Sequence, residues 1–130
     1  MKILLDTNAL IWLIEQTDKK SLGNGALKLI NEAEVVYVSS VSILEIRIKT
    51  MLGKLVSEKD LVNDTKLAGL KNLSFEMSHA DAILSFPDLQ RHDPFDRMLL
   101  AQAQVEGLTF LTSDNTLLGL NISFIVNARK

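Results

Sequence analysis

Short apolar runs alternate along this chain with longer segments in which apolar residues recur at helical spacing. Five runs are short and either continuously apolar or alternating, which predicts β-strands at 2–5, 35–38, 73–77, 108–112 and 122–126. Six longer segments predict α-helices at 9–15, 21–34, 42–52, 57–70, 78–86 and 93–106. Strands separated by helices imply a mainly parallel sheet with helices on both faces, so the pattern predicts an α/β fold.

Four acidic residues fall at places where such a fold brings side chains together. Asp6 and Asp114 each follow a predicted strand, whereas Glu45 and Asp96 lie near the beginnings of predicted helices. Because parallel sheets bind their ligands outside the carboxyl ends of the strands, we expect all four at one edge. Grouped carboxylates repel one another unless a cation lies between them, so this pattern indicates a divalent-metal site.

Three of these acids also have ordinary structural interpretations. Asp6 suits the N-cap of the helix that follows it, and Asp114 suits a turn. Asp96 would lie in the first turn of a helix capped by Asp93, where a negative charge is favourable. Taken singly, these three residues do not decide between structure and metal binding.

Glu45 is harder to explain by structure alone. It lies between Leu44 and Ile46 in an apolar helix, and an unpaired buried carboxylate is costly. Lys49 follows four residues later on the same helix face and is the best structural partner for Glu45. Because a helix this apolar would bury the carboxylate, the pattern favours a function for Glu45 over that pair.

Length and composition fit a single domain that spans residues 1–130. With 47% hydrophobic and 23% charged residues, the chain is typical of a soluble globular protein. The absence of cysteine excludes disulfides, thiolate zinc sites and cysteine nucleophiles, and favours the cytoplasm. No apolar run approaches the roughly 18 residues of a spanning helix, and Asp6 interrupts any signal-peptide core, so neither secretion nor membrane insertion is expected.

Charge and the remaining polar residues narrow the chemistry only slightly. The net charge of −2 does not favour a nucleic-acid partner, but metal bound by the four acids would neutralise part of it. The ending Arg129–Lys130 and the basic residues near position 50 permit a phosphate-binding surface. His79 and His92 have no third nitrogen or sulfur ligand nearby, which disfavours zinc, and no glycine-rich phosphate loop is present.

Four segments together resemble the motifs of PIN-domain ribonucleases and, more narrowly, the VapC toxins of VapBC-type toxin–antitoxin pairs. They are LLDTN at 4–8, SSVSILE at 39–45, HDPFDRMLLAQA at 92–103 and LTSD at 111–114. The DPFDR block at 93–97 is the most specific of these, whereas DTN after a strand is weak alone. The resemblance covers essentially the whole chain in order and in length.

This resemblance implies a Rossmann-like three-layer sandwich whose mainly parallel sheet is flanked by helices. It also implies endonucleolytic cleavage of RNA with Mg²⁺ or Mn²⁺, a homodimer, and inhibition by a cognate antitoxin. Asp6, Glu45, Asp96 and Asp114 match its catalytic acids, and we expect Asp6, Asp96 and Asp114 to hold the metal. Supporting polar positions are matched by Thr7, Asn8, Ser39 and Thr112. Candidates for phosphate contact are Arg47, Lys49 and Arg97.

Two other functions remain as alternatives. An aspartate-dependent phosphatase would use Asp6 as its nucleophile, but it would want a second aspartate where Asn8 stands. A catalytically inactive PIN fold could serve instead as a dimerisation and partner-binding module. The complete set of four acids argues against that second alternative.

Overall fold

A five-stranded sheet, with every neighbouring pair of strands parallel, forms the middle of the protein. The computed structural model describes residues 1–15, 21–56 and 60–130. Its strands are β1 (Lys2–Leu5), β2 (Val35–Ser39), β3 (Lys71–Leu73), β4 (Thr109–Thr112) and β5 (Ile125–Asn127). Their order across the sheet is β3-β2-β1-β4-β5, which places β1 at the centre. The α/β class and the parallel sheet that the sequence predicted are confirmed.

Helices connect the strands in the described part of the chain. They are α1 (Thr7–Ile14), α2 (Asn24–Glu32), α3 (Ser40–Met51), α4 (Leu61–Leu67), α5 (Met77–Asp81), α6 (Pro94–Glu106) and α7 (Asn115–Leu118). Two 3-10 turns, Ala82–Ser85 and Pro87–Leu89, lie between α5 and α6. The first three residues of the predicted helix 57–70 lie outside the described residues, and α4 forms within the remainder. Among the described residues, no helix has the length and apolar character needed to cross a bilayer.

The core is divided into two apolar clusters because successive side chains of a strand point to opposite faces of the sheet. Ile3 and Leu5 of β1 belong to the cluster beneath α1 and α2. Leu4 belongs to the other cluster, with Leu99 and Leu100 of α6. All five of these side chains are fully buried, which explains why β1 reads as a continuous apolar run. Helices therefore cover both faces, and the molecule has three layers.

Two predicted strands differ from the observed ones because a strand extends only as far as its partner. The alternating run 73–77 predicted a strand, but pairing ends at Leu73, which lies opposite Ser39 at the end of β2. Likewise, the predicted strand 122–126 pairs with β4 only from Ile125. The residues just before Ile125 form a turn, in which the Ile125 N–H donates to the Ile122 carbonyl.

Candidate metal centre

All four predicted acids line one pocket of about 320 Å³. Asp6 follows β1 and Asp114 follows β4, while Glu45 projects from α3 and Asp96 from α6. The pocket lies at the carboxyl edge of the sheet, as parallel topology predicts. A larger cavity, of about 1050 Å³, lies among α1, α2 and α4. None of the four acids lines the larger cavity, so the smaller pocket is the candidate site on chemical grounds.

Asp6 is held by hydrogen bonds to both of its carboxylate oxygens. It is the N-cap of α1, with Oδ1 accepting from the Ala9 N–H at 2.7 Å. Its Oδ2 accepts from Thr112 Oγ1 at 2.7 Å and from the Ser113 N–H at 3.2 Å. The Asp6 side chain is therefore fixed in position between α1 and the end of β4.

Glu45 is buried on α3 and also has a partner on each oxygen. Thr7 Oγ1, which lies 3.0 Å from Ser42 Oγ, donates to Glu45 Oε1 at 2.6 Å. The Lys49 ammonium donates to Oε2 at 2.5 Å, so the pair expected from helix spacing is present. Because Glu45 lines the pocket as well, the ion pair positions the carboxylate beside the other acids.

Asp96 and Asp114 meet across the side chain of His92. The His92 Nε2 atom lies 3.2 Å from Asp96 Oδ2 and 3.4 Å from Asp114 Oδ2. This nitrogen is inaccessible to solvent yet makes no hydrogen bond with either oxygen. The other oxygen of Asp114 caps α7 by accepting from the Leu117 N–H at 2.9 Å.

The donor atoms of this trio fit a divalent cation. One ligand atom from each of His92, Asp96 and Asp114 lies within 4.8 Å of the other two. Neighbouring ligands of an octahedral ion with bonds of about 2.1 Å are about 3 Å apart, close to the observed nitrogen–oxygen separations. Two carboxylate oxygens lying this close to an imidazole nitrogen that has no hydrogen-bond partner could therefore coordinate one metal ion.

The surroundings of Asp6 and Asp96 disfavour the ionised forms of these two carboxyl groups. Burial raises the pKa of Asp6, against the opposing effect of its hydrogen-bond donors. Burial, followed by the charges of Asp93 and Asp114, raises the pKa of Asp96 from 3.8 to about 7. The hydrogen bond to Glu45 raises the pKa of Lys49. A divalent cation would relieve the repulsion among the carboxylates and favour their ionised forms.

The predicted supporting residues do not all contact the acids of the pocket. Thr7 and Thr112 each donate a hydrogen bond to an acid, and Asn8 lines the pocket. The Ser39 hydroxyl instead donates to Gln102 Oε1 at 2.5 Å and accepts from the Val41 N–H as the N-cap of α3. Ser39 therefore supports the helix that carries Glu45 rather than contacting the acids.

Of the three predicted phosphate contacts, Lys49 lines the pocket, whereas Arg47 and Arg97 are not among its lining residues. The Arg97 guanidinium donates to the Gln90 carbonyl at 3.4 Å. In contrast, Arg129 lines the pocket, although the sequence indicated only that Arg129 and Lys130 permit a phosphate-binding surface. The sequence disfavoured His92 as a zinc ligand because no third nitrogen or sulfur ligand is near it, and only the fold brings His92 to Asp114, which is 22 positions away. The spacing of His92 and Asp96, four residues apart, was the one signal in the sequence.

Comparison with known proteins places the chain in a family. The family model for the PIN domain matches residues 3–120. VapBC2 of Rickettsia felis, bound to a promoter DNA fragment, has a similar structure, with a TM-score of 0.67, 16% identity and 98% of each chain covered. FitAcB of Neisseria gonorrhoeae has a TM-score of 0.62 and 22% identity, over 97% of each chain. VapBC-5 of Mycobacterium tuberculosis has a TM-score of 0.60 and 18% identity, over 99% of this chain and 98% of that chain.

At these identities the structural likeness shows a shared fold, and a search among curated proteins gave no significant match. The family model, in contrast, spans most of the sequence and includes all four acids. The chain therefore belongs to the PIN domain family.

Proposed function

We propose that this protein is the toxin of a VapBC-type toxin–antitoxin pair and acts as a Mg²⁺- or Mn²⁺-dependent endoribonuclease. The observation that carries the proposal is the meeting of Asp6, Glu45, Asp96 and Asp114 in one pocket. A similar structure from Klebsiella pneumoniae is described as a toxin–antitoxin complex, and VapBC-5 as a member of a family of toxin–antitoxin systems. These descriptions support a cognate antitoxin as partner and inhibitor. We also propose that residues 1–130 form a single domain.

The chemistry follows from how each acid is held. A divalent ion at this site would polarise the scissile phosphate and lower the pKa of a coordinated water. Asp96 and Asp114, with His92 between them, would bind the ion, and Asp6 would complete its acidic surroundings. Glu45 is fixed by Thr7 and Lys49 and would orient the attacking water toward the phosphate. Lys49 would remain close enough to the site to offset charge on the substrate.

The experiment compares purified wild-type protein with two variants that each remove one carboxylate. Asp96→Asn should reduce metal-dependent cleavage of single-stranded RNA by at least about 100-fold, because the site loses a ligand. Asp88→Asn is the matched control, since Asp88 is exposed and does not line the pocket. Mg²⁺ and Mn²⁺ should each restore cleavage after treatment with EDTA.

The outcomes separate the three functions. Equal behaviour of the wild type and Asp96→Asn, with no cleavage under any metal, would support the inactive partner-binding module. A trapped acyl phosphate on Asp6 would support the phosphatase, although both Asp6 oxygens are already engaged by hydrogen bonds.

A homodimer is also proposed, on the family resemblance. Light scattering after size exclusion should give about twice the 14.5 kDa mass of one chain. A mass of one chain at micromolar concentration would contradict this part of the proposal.

A further inference from the structure

Arg129 lies at the pocket and contacts the Trp12 ring of α1. Its guanidinium carbon is 5.1 Å from the centre of the Trp12 ring, within the range of a cation–π interaction. Arg129 is exposed and lines the same pocket as the four acids. The aromatic ring therefore orients a planar cation beside the candidate metal centre.

This guanidinium has no acidic partner among residues 1–15, 21–56 and 60–130. No carboxylate in those ranges lies within 4.0 Å of it, and its side chain makes no hydrogen bond with them. Lys49, in contrast, is paired with Glu45 at 2.5 Å. Of these two pocket cations, Arg129 is the one whose hydrogen-bond donors remain available to a ligand.

The backbone that carries Arg129 is fixed on both sides. We call residues 127–130, which carry Arg129 to the pocket, the closing segment. The Ala128 N–H donates to the Thr112 carbonyl at 2.8 Å, which joins the closing segment to β4. On its other side, the Gly23 N–H donates to the Ala128 carbonyl at 3.0 Å and the Gly25 N–H to the Lys130 carbonyl at 2.7 Å.

The approach to α2 is so close that it requires glycine. A Cβ atom at Gly23 would lie 2.3 Å from the Lys130 carbonyl carbon, and one at Gly25 would lie 2.6 Å from the Lys130 oxygen. The backbone hydrogen bonds at this close approach fix the closing segment against α2. Because its backbone is fixed and its guanidinium contacts Trp12, Arg129 would lose less conformational freedom on binding a ligand than an arginine on a free segment.

We propose that Arg129 binds a phosphate of the RNA substrate next to the scissile one. The Trp12 ring would pack against the guanidinium and keep it in position. A guanidinium forms paired hydrogen bonds with phosphate oxygens, and a cation stacked on an aromatic ring keeps its edge donors free to make them. The inference rests on the proposed nuclease function, because it assigns a subsite to the same pocket.

The first test measures binding of a short single-stranded RNA by fluorescence anisotropy, with Ca²⁺ as the ion and RNA integrity checked on gels. Arg129→Ala should weaken binding roughly tenfold and lower the salt slope of log K by about 0.7, the value for one phosphate contact on a single strand. Lys130→Ala is the matched control, because it removes the same charge from the adjacent residue. It should leave both quantities near those of the wild type.

The second test uses Trp12, the single tryptophan of the chain, as a reporter. RNA binding should change its fluorescence in the wild type and in Lys130→Ala, but much less in Arg129→Ala. In a double-mutant cycle, Arg129→Ala should cost less affinity when Trp12 is already leucine, since the two residues act as one unit. Thermal melts of each variant show whether it is folded. Arg129→Lys keeps the charge but loses the planar guanidinium, so its RNA affinity should lie between those of the wild type and Arg129→Ala.

Kinetics separate this inference from the proposed function. Arg129→Ala should raise KM for RNA cleavage about tenfold while kcat stays within about twofold, as expected for loss of a uniform binding contact. Wild-type protein that cleaves RNA, with Arg129→Ala and Lys130→Ala alike in affinity, salt slope and KM, would overturn the role of Arg129 alone. Failure of the wild type to cleave RNA with any divalent ion would instead overturn the proposed function.

Discussion

At the scale of single residues, the acids of the pocket take part in both structure and the candidate site. Asp6 caps α1, Asp114 caps α7, and Glu45 pairs with Lys49 along α3. For Asp114 the sequence offered a turn rather than a helix cap, whereas the roles of Asp6 and Glu45 are those it offered as alternatives to metal binding. The structure shows that these roles are compatible with metal binding, since each carboxylate is held by local contacts while it lines the pocket.

The raised pKa of Asp96 predicts how the stability of the metal-free protein depends on pH. A carboxyl whose pKa is about 7 in the folded state and near 3.8 when unfolded binds its proton more tightly in the folded protein. Its stabilising contribution is complete below about pH 3.8 and is lost as the pH rises through about 7. In EDTA, the free energy of unfolding by urea should therefore fall more between pH 5 and pH 8 for the wild type than for Asp96→Asn.

Parallel pH profiles for the two proteins would contradict that prediction. With saturating Mn²⁺ the trend should reverse, because metal binding requires the ionised carboxylate and becomes stronger as the pH rises. The Asp88→Asn protein, which lacks a charge outside the pocket, should follow the wild type under both conditions.

His92 predicts which metal ion the site prefers. Mg²⁺ binds oxygen ligands almost exclusively, whereas Mn²⁺ accepts an imidazole nitrogen more readily. His92→Gln should therefore weaken Mn²⁺ binding by about 10-fold or more and Mg²⁺ binding much less, as measured by isothermal titration calorimetry. Pulsed electron paramagnetic resonance of bound Mn²⁺ should show coupling to a nitrogen in the wild type that disappears in His92→Gln. Its persistence would mean that His92 is not a ligand.

At the scale of helices and strands, the sequence predicted the ends of an element well where a local signal marks them, and poorly where the end depends on a neighbouring strand. The helix predicted at 93–106 is observed as α6, with Asp93 as N-cap and Gly107, at φ 66°, in the left-handed conformation that ends it. The length of β3, by contrast, depends on β2, its neighbour in the sheet. The alternation of residues 73–77 contains no information about that partner.

Packing of α5 against α6 gives a prediction about stability. His79 is fully buried, its Nδ1 accepts from the Glu76 N–H at 2.9 Å, and its Nε2 lies 2.9 Å from Glu106 Oε1. The proton must therefore be on Nε2, which donates to Glu106. His79→Ala should reduce the free energy of unfolding by about 2–4 kcal/mol, because it leaves a cavity and unpaired polar groups.

A milder variant tests the assignment of that proton. Glu106→Gln keeps an acceptor oxygen and should cost less than about 1 kcal/mol. Metal affinity should be unchanged in both variants, since neither residue lines the pocket. A loss of stability as large in Glu106→Gln as in His79→Ala would show that the charge of Glu106, rather than the hydrogen bond, holds these helices together.

At the scale of the whole molecule, the site could be predicted only where a residue carried a motif. Asp6, Glu45, Asp96 and Asp114 were identified because each ends or interrupts an apolar segment in a recognisable block. Arg129 carried no such signal, since its position depends on the docking of the closing segment against α2. Contacts between distant parts of a chain are set by topology, which a single sequence specifies only indirectly.

The closing segment also makes a prediction about stability. Gly23→Ala should destabilise the protein by about 1–3 kcal/mol, because the added methyl would overlap the backbone of Lys130. Gly119→Ala is a milder comparison, since its Cβ would lie 3.2 Å from the nearest atom, the Asn115 oxygen. Urea unfolding should separate the two variants, and Gly23→Ala should also weaken RNA binding through displacement of Arg129. Unchanged stability in Gly23→Ala would mean that the closing segment is not held at α2.

The hydrogen bond from Thr112 to Asp6 joins residues 106 positions apart and has a consequence for synthesis of the protein on the ribosome. The first acid is translated near the start of the chain, but its partner Thr112, the capping residue Asp114 and the cation Arg129 emerge only near the end. At roughly 5–20 residues per second, the ribosome needs several seconds to synthesise the residues between Asp6 and Thr112. Until Thr112, Asp114 and Arg129 have been synthesised, a nascent chain therefore has no complete pocket, and the proposed activity would begin only after that stage.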